Sequence, residues 1–329
     1  MKSGLIAKIV ILLCVLCLIS GFFNIEKEEV LYEKNNKIGG NKIAVMEVEG
    51  TIVSSYESNL FSSETSAANL LKSLKSAAAD DDIKGIIIKI NSPGGTVAMS
   101  QNIYNQILNI RQKKPVIAVL DDVAASGGYY IASAADRILA QEGTLTGSIG
   151  VIVSFMDFHH LLTEKLDINP VVIKSGKYKD IGSGLREMTP EERNLMQDIV
   201  NDSYNQFIEA ITKARVFRND NYKVTKTLLD EGTLKSNADG RVFTGRMAKK
   251  LGFIDEIGDI DTAKNMIEVM VQQKYGNNSK VKLVNYNKKT TISEYFSSFT
   301  EYGTQSKYKL SDFIPTSMIL SRRPLYLWE

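Results

Sequence analysis

The chain has 329 residues, long enough for one large domain or two ordinary ones, and its 43% hydrophobic and 24% charged content is that of a globular protein. The net charge of +2 indicates no nucleic-acid partner. Both cysteines, Cys14 and Cys17, lie in an N-terminal apolar run, so the remaining chain has no thiol for a disulfide, a nucleophile or a metal site. The two histidines, His159 and His160, are adjacent, which makes most catalytic triads and zinc sites hard to build. We therefore expect no cofactor and no metal.

The N-terminus carries an apolar segment from about Leu5 to Ile25, whose uncharged part begins at Ile9. Its length is near the lower limit for a membrane-spanning helix, and a cleaved signal peptide is the alternative. No small-residue cleavage site follows the segment cleanly, which favours an uncleaved anchor. Lysines precede the segment and glutamates follow it, so the positive-inside rule places the N-terminus in the cytoplasm and the rest outside the cell membrane. We predict an anchor over 1–25 and a charged linker over 26–41.

The next part of the chain alternates strand and helix patterns. The predicted elements are a strand over 42–48, a helix over 65–79, a strand over 83–90, a helix that ends near 113 and a strand over 115–120. The three consecutive isoleucines at 86–88 are typical of a strand that is buried on both faces of a parallel sheet. The alternation predicts an α/β domain with parallel strand pairing.

The patterns are more varied after residue 135. They predict strands over 136–140, 143–153, 170–174 and 280–284, and helices over 158–166, 224–231 and 260–273. Residues 175–182 have the composition of a basic, flexible loop. Thr189, followed by Pro190 and two glutamates, indicates the start of a long helix that runs to about Arg215. We predict one globular domain over 42–275 and a C-terminal tail over 276–329.

The most informative motif follows the strand predicted over 115–120. It consists of a tight turn, Ser126, the Gly127–Gly128 pair and a helix of small residues. A serine here lies at a helix N-terminus, where free N–H groups and the helix dipole favour negative charge. The glycines let a substrate backbone come close, because they have no Cβ. The motif therefore indicates a nucleophile beside an anion-stabilising N–H, and a helix N-cap with packing glycines is the alternative.

A nucleophilic Ser126 would need a base. The pattern around His159 and His160 is that of an amphipathic helix, which indicates surface or packing roles. A buried lysine can lose its proton and act as the base, and serine–lysine pairs are a known variant of the catalytic triad. The candidate lysines form one cluster after Ser126: Lys174, Lys177 and Lys179. The alternative role of this cluster is a solvated basic loop.

A second glycine turn, Ser92-Pro93-Gly94-Gly95, follows the strand predicted over 83–90. It ends a buried strand, where α/β folds place their sites, so its N–H groups could point at an oxyanion together with that of Gly127. A simple type II turn with proline at its second position is the alternative. The combination of this turn with the Ser126 motif one strand–helix–strand unit later is much more specific than either motif alone.

These segments together resemble bacterial signal peptide peptidase A in its half-size form, which has one copy of the core. The matching segments are INSPGG at 90–95, AASGGY at 124–129, TGSIGV at 146–151, YKD at 178–180 and GRVFTGR at 240–246. The resemblance covers roughly residues 42–275. More distantly, the serine and glycine motifs resemble Clp protease and the crotonase superfamily. The implied fold is an α/β Clp protease/crotonase-like core of repeated ββα-type units with a parallel sheet, preceded by one transmembrane helix.

The resemblance implies a role for each matching residue. Ser126 is the nucleophile, Lys179 the general base and Ser148 the hydroxyl that orients the lysine amine. Gly94 and Gly127 supply the N–H groups of the oxyanion hole. It further implies a membrane-anchored serine endopeptidase that degrades signal peptides left in the membrane after secretion and accepts unfolded polypeptides. The family forms homo-oligomers whose active sites are shared between subunits.

Two other functions remain open from the residues alone. A crotonase-like enzyme acting on acyl-CoA would reuse the same glycines for its oxyanion hole, although the predicted anchor argues against a cytoplasmic substrate. A catalytically inactive membrane scaffold of the same fold is the other, although the presence of Ser126, Lys179 and Ser148 together argues against it.

Overall fold

The computed structural model describes residues 41–54, 67–217, 229–276 and 280–287, and the backbone of 325–327. The predicted anchor and nearly all of the predicted linker lie outside these ranges. Among the described residues, no helix is long and apolar enough to cross a membrane.

The described residues form ten strands and seven α-helices. The strands are β1 (Asn41–Glu49), β2 (Ile83–Ser92), β3 (Gly94–Thr96), β4 (Val116–Ala125), β5 (Arg137–Ala140), β6 (Leu145–Gly147), β7 (Val242–Thr244), β8 (Glu256–Ile257), β9 (Val281–Asn285) and β10 (Leu325–Leu327). The helices are α1 (Ala67–Ala79), α2 (Val97–Arg111), α3 (Gly127–Ser133), α4 (Pro190–Ile211), α5 (Glu231–Asn237), α6 (Gly245–Leu251) and α7 (Ile260–Tyr275).

Eight of these strands form one mostly parallel sheet, whose main path is β7-β6-β4-β2-β1-β9. The long strand β4 pairs with β5 along its first half and with β6 along its second half, so the sheet splits there into two branches. β8 extends the β5 branch, and β7 is antiparallel to β6. The α/β class and the parallel pairing that the sequence predicts are confirmed.

Both faces of the sheet are covered, which explains the run of isoleucines in β2. Ile86 and Ile88 face a large core that also contains Leu70 of α1 and Ile103 of α2. Ile87, on the other face, packs in a smaller core with side chains of α7. Since successive side chains of a strand point to opposite faces, three consecutive apolar residues require apolar cover on both sides.

The predicted N-terminus of the long helix is confirmed. Thr189 caps α4 by accepting a hydrogen bond from the Glu192 N–H at 3.2 Å, and the Glu192 side chain accepts one from the Thr189 N–H at 3.0 Å. Pro190 occupies the first helical position, where its missing N–H costs nothing. The helix is shorter than predicted, because a π-helical turn over Thr212–Val216 follows Ile211.

The segment between β6 and α4 differs most from the predictions. The helix expected over 158–166 is present over 159–165, most of it as the π-helical stretch Leu161–Lys165, whereas the strand expected over 170–174 has no neighbour to pair with in the described chain. A strand needs a partner for its backbone groups, and the described residues offer none here. In contrast, β9 pairs with β1 beyond residue 275, so the sheet extends into the predicted tail.

Candidate active site

Ser126 lies on a sharp turn between β4 and α3. Its backbone has φ 52° and ψ −116°, a strained combination for a residue with a side chain. Two hydrogen bonds hold this turn: the Ser126 N–H donates to Gly147 O at 2.8 Å, and the Tyr130 N–H donates to Ser126 O at 2.8 Å. A strained serine between a strand and a helix is the geometry of a nucleophile elbow.

The hydroxyl of Ser126 is buried and has no hydrogen-bond partner among the described residues. The Ser126 side chain therefore does not cap α3, which removes the structural alternative for this residue. An unpaired buried hydroxyl is costly, and such groups commonly mark functional sites. The hydroxyl is also not bonded to any lysine or histidine of the described chain.

The turn that contains Gly94 and Gly95 packs directly against the start of α3. A Cβ added to Gly127 would lie 2.7 Å from Ser100 Oγ, 3.1 Å from Gly95 N and 3.2 Å from Gly94 Cα. At these distances a glycine fits at position 127 without any change, whereas a larger residue would require Ser100 or the glycine turn to shift. The two glycine motifs that the sequence analysis paired are thus in contact beside Ser126.

Gly94 and Gly95 differ in what their N–H groups do. The Gly94 N–H donates to Ser92 Oγ at 3.1 Å, so in this structure it is already engaged. The Gly95 N atom lies on the side of the turn that faces Gly127. The assignment of Gly94 as an oxyanion donor stays a prediction, and Gly95 is the neighbouring donor that the sequence analysis did not single out.

Ser148 occupies a position equivalent to that of Ser126 at the end of the neighbouring strand. β4 and β6 are parallel with Ala125 opposite Gly147, so the two serines follow directly after paired residues. Ser148 also has a positive φ, 49°, and its N–H donates to Arg241 O at 2.8 Å. The structure therefore brings Ser126, Ser148, Gly94 and Gly127 to one edge of the sheet, at the carboxyl ends of its strands, where α/β folds bind ligands.

Lys179 is not brought to this group. Its side chain is exposed, and within the described part of the chain it makes no hydrogen bond or ion pair, including any to Ser126 or Ser148. The other two candidate lysines are paired. Lys174 bonds Asp180 at 2.5 Å, and Lys177 bonds Glu191, which raises the pKa of Lys177. A raised pKa leaves less of the neutral Lys177 amine available to accept a proton.

The loop around Lys179 is held by an ion-pair network and is not the free loop that its composition predicts. Asp180 accepts hydrogen bonds from Lys174 and two from Arg186, at 2.9 and 2.7 Å, and these bonds hold the pKa of Asp180 far below its ordinary value. Arg186 also donates two bonds to Glu192, at 2.8 and 2.5 Å. Since Glu192 belongs to the first turn of α4, the network ties the residue next to Lys179 to this helix.

The histidines lie on the surface of the same segment. His160 is hydrogen-bonded by Glu164 and Glu187, which raise its pKa, and the His159 ring nitrogen lies 3.2 Å from Leu185 O. Neither contacts Ser126. In the described ranges there is also no group of three or more His, Cys, Asp or Glu side chains that could hold a metal ion.

Comparison with known proteins shows which protein family has a similar sequence. A model of peptidase family S49 matches residues 109–274, and a model of Clp protease matches residues 49–140. A putative protease of Synechocystis sp. is 39% identical over 223 residues, which cover 68% of this chain and 72% of that protein. A putative protease of Methanocaldococcus jannaschii is 36% identical over 242 residues, 72% of this chain and 73% of that protein. A protein of Enterococcus faecium named putative signal peptide peptidase SppA is 36% identical over 244 residues, 73% of this chain and 66% of that protein.

Residues 49–140 hold both the Gly94–Gly95 turn and the Ser126 elbow, and they carry the fold of a Clp-type peptidase. The match of residues 109–274 to the S49 model and the similarity to the curated proteins identify the family. The chain belongs to peptidase family S49 and is a serine endopeptidase. The resemblance to signal peptide peptidase A that the motifs indicate is thereby confirmed at the level of the family.

Proposed function

We propose that this chain is a membrane-anchored endopeptidase that uses Ser126 as nucleophile and Lys179 as general base to degrade signal peptides left in the membrane after secretion. The observation that carries the proposal is the buried, strained Ser126, whose hydroxyl lies beside the glycine turn and has no hydrogen-bond partner among the described residues. The substrate class is supported by the name of the Enterococcus relative, and the anchor by the apolar segment before residue 26.

In the proposed reaction, Ser126 Oγ attacks the carbonyl carbon of the scissile peptide bond while a neutral Lys179 amine takes the hydroxyl proton. The developing oxyanion accepts hydrogen bonds from Gly127 N–H and from the Gly94–Gly95 turn. The carbon–nitrogen bond then breaks, and the lysine returns the proton to the leaving amine. Water hydrolyses the acyl-enzyme by the same route in reverse, with Lys179 again as the base.

This mechanism requires Lys179 to be desolvated, since burial favours the neutral amine, yet its side chain is exposed in the single chain. A second copy of the chain, packed against the segment over 151–199, would supply the missing burial. The segment is suited to this, because it displays apolar side chains: Val171 and Ile173 are 86% and 96% exposed. Large exposed apolar surfaces of this kind are typical of protein interfaces.

The proposal is tested by incubating the full-length chain in detergent with an unfolded protein and with a fluorophosphonate probe. We expect cleavage, and covalent labelling that maps to Ser126 and is absent in Ser126→Ala. Labelling of Ser126 without cleavage of any polypeptide would contradict an endopeptidase.

The same experiment separates the two other functions. A crotonase-like enzyme would process acyl-CoA thioesters in the Ser126→Ala variant, because its chemistry uses only the glycine N–H groups. An inactive scaffold would show neither labelling nor cleavage. Neither alternative explains why the Ser126 hydroxyl is buried at a strained turn with no partner in the part of the chain that the structure describes.

A further inference from the structure

The two ends of the parallel sheet carry opposite charge. Because β1, β2, β4 and β9 are parallel, all four begin at one end of the sheet and finish at the other. The second halves of β1 and β4 carry acidic residues, Glu47 and Glu49 in β1 and Asp121 and Asp122 in β4. Lys89 of β2 lies between two of them, 3.0 Å from Glu47 Oε1 and 3.5 Å from Asp121 Oδ2. The carboxyl end of the sheet, where Ser126 lies, therefore has an excess of negative charge in these strands.

Lysines are concentrated at the opposite, amino end of the sheet, where the strands begin and the helices α1, α2 and α7 finish. Six of them are exposed or half-exposed, and we call them the lysine surface: Lys42, Lys84, Lys113, Lys274, Lys280 and Lys282. The carboxylates beside them among the described residues are fewer: Asp80, Asp81, Asp82 and Glu268. The amino end of the sheet therefore has a net positive charge.

Tyr275, the last residue of α7, lies within the lysine surface and is 37% exposed. Its hydroxyl donates to Lys113 O at 3.3 Å, and Lys84 Nζ lies 5.5 Å from the centroid of its ring. The neighbouring Lys274 Nζ donates to Gln112 O at 3.3 Å. Contacts thus join the ends of α2 and α7 and the start of β2 into one surface. Exposed tyrosine among basic side chains is typical of protein surfaces at a membrane–water interface.

The capping of helices explains only part of this surface. The carboxyl end of a helix favours cations, and the buried Lys114, which is not part of the lysine surface, donates to two carbonyl oxygens at the end of α1. Lys84 and Lys274 also bond to carbonyl oxygens, which have no formal charge, so both amines keep their positive charge. The side chains of Lys113 and Lys280 are exposed and make no hydrogen bond or ion pair with other described residues. These two lysines have no structural role that the described chain accounts for.

The chain enters the domain at this end of the sheet. Asn41 is the first residue of β1, and the predicted anchor ends at Ile25. The residues over 26–40 span at most about 50 Å when fully extended, which limits the distance between the anchor and the amino end of the sheet. The carboxyl end lies about one strand length, roughly 30 Å, from the point where the chain enters.

We propose that the lysine surface binds the anionic headgroups of phospholipids, so that the amino end of the sheet faces the bilayer and the Ser126 end faces away from it. Each lysine close to an anionic bilayer strengthens binding by about fivefold. The acidic residues at the other end disfavour the inverted orientation, because like charges repel. The proposal rests on the anchor of the proposed function and is independent of the chemistry at Ser126.

Fluorescence quenching in nanodiscs measures this orientation in the full-length chain. Cys14 and Cys17 are replaced by alanine, and one fluorophore is attached either at Gln112→Cys on the lysine surface or at Gly143→Cys, which follows β5 at the carboxyl end. The discs contain phosphatidylcholine with or without phosphatidylglycerol, and a lipid that carries a nitroxide quencher on its headgroup. With phosphatidylglycerol at low salt, we expect about threefold stronger quenching at 112 than at 143. The difference should shrink by at least about half in neutral discs or at high salt, where the attraction is absent or screened.

Two variants with the same change of charge test the residues. Lys113→Gln with Lys280→Gln removes two lysines of the lysine surface. Arg241→Gln with Arg246→Gln is the matched control, since it removes two exposed arginines near the carboxyl end of β6. We expect the first variant to weaken the quenching at 112 by about twofold or more and the second to leave it unchanged. Equal losses in the two variants, or quenching at 112 that does not depend on phosphatidylglycerol, would overturn the proposal.

The outcomes separate this proposal from the proposed function. A chain that does not stay in the discs has no anchor, which overturns both the membrane part of the proposed function and the lysine surface as a headgroup site. A chain that stays in the discs but is quenched equally at 112 and 143 overturns the lysine surface alone. Quenching at 112 that depends on phosphatidylglycerol, in a chain that cleaves no polypeptide, would support the lysine surface and contradict the mechanism proposed for Ser126.

Discussion

At the scale of single residues, the site is marked by strain that packing maintains. Ser126 and Ser148 both have positive φ angles, which cost about 1–3 kcal/mol for each residue of this kind. The two turns persist because the strands before them are paired and the Ser126 N–H bonds Gly147 O across them. The two serines lie at the ends of neighbouring strands, and the buried Ser126 hydroxyl has no partner among the described residues. Strain supported by packing at such a place indicates a functional site.

The roles proposed for Ser126 and Lys179 are tested by Ser126→Ala and Lys179→Ala. Each substitution should abolish cleavage and leave the thermal unfolding midpoint unchanged within about 2 °C, and the double variant should be no slower than either single one, because each removes one half of a unit. Lys177→Ala is the matched control from the same loop and should keep most of its activity. Loss of activity in Lys177→Ala with activity retained in Lys179→Ala would reverse the assignment of the base.

The close contact between the glycine turn and α3 is tested by Gly127→Ala. The added methyl would lie 2.7 Å from Ser100 Oγ and 3.1 Å from Gly95 N, so the buried Ser100 hydroxyl or the glycine turn must shift. We expect the rate of cleavage to fall by at least tenfold and the stability by about 1–3 kcal/mol, as for overpacking elsewhere. Gly143→Ala, where a Cβ meets nothing within 4 Å, is the control and should change neither quantity. Equal kinetics in the two variants would show that the glycine at 127 is not needed for close packing.

At the scale of elements, the start of α4 holds the loop that carries Lys179. Glu192 is buried, caps the helix with Thr189 and binds Arg186, which in turn binds Asp180. Since Asp180 directly follows Lys179, one capping box and one arginine connect a regular helix to the irregular loop that carries Lys179. This arrangement restricts the positions that Lys179 can take, and its side chain stays exposed.

The network gives the stability of this region a defined pH dependence. The Arg186 guanidinium and the Thr189 N–H lower the pKa of Glu192 from its ordinary value of 4.5 to about 2. A lowered folded-state pKa contributes stability that is present above the unfolded value and is lost as the pH falls through the folded one. Glu192→Gln should therefore lower the unfolding midpoint at pH 6, and the difference from the unaltered chain should shrink between about pH 4.5 and pH 2.

The control for this measurement is Glu209→Gln, which removes an exposed carboxylate from the same helix. Circular dichroism melts at several pH values compare the three chains. A difference for Glu192→Gln that is constant from pH 6 to pH 2 would show that its carboxylate is not linked to folding in this way.

At the scale of the whole molecule, the segment over 151–199 differs from the rest of the described chain in its exposed apolar surface. The described residues between 151 and 199 expose many large apolar side chains and contain little regular structure before α4, whereas the sheet and its helices are closely packed. The strand that the sequence predicts over 170–174 lacks a neighbouring strand among the described residues. Both features are expected of a segment that completes its packing against another copy.

Mixing inactive variants tests this assembly. Ser126→Ala chains mixed with Lys179→Ala chains should regain part of the cleavage activity, since some interfaces would then pair an intact serine with an intact lysine from a neighbour. Subunit exchange is verified separately, by energy transfer between differently labelled chains. Mixtures that exchange subunits but stay inactive would indicate that each chain holds its own complete dyad.

Much of the architecture and part of the site follow from local sequence. The isoleucines at 86–88 predict a doubly covered strand, and Thr189 with Pro190 predicts the start of α4, because buried strands and helix caps are decided by neighbours within a few residues. The serine and glycine motifs likewise indicate the Ser126 turn. In each of these features, the types of a few residues and their spacing along the chain restrict the conformation.

The tertiary structure decided what depends on distant contacts. It shows that the Gly94 N–H is engaged by Ser92 while Gly95 adjoins Gly127, that Arg186 holds the loop beside Lys179, and that Tyr326 lies opposite Gly95. Composition predicted a flexible loop over 175–182, because charge and turn propensity describe a segment without its partners. Which partner a backbone group or a charged side chain finds is set by the packing of the whole sheet, and no local pattern encodes it.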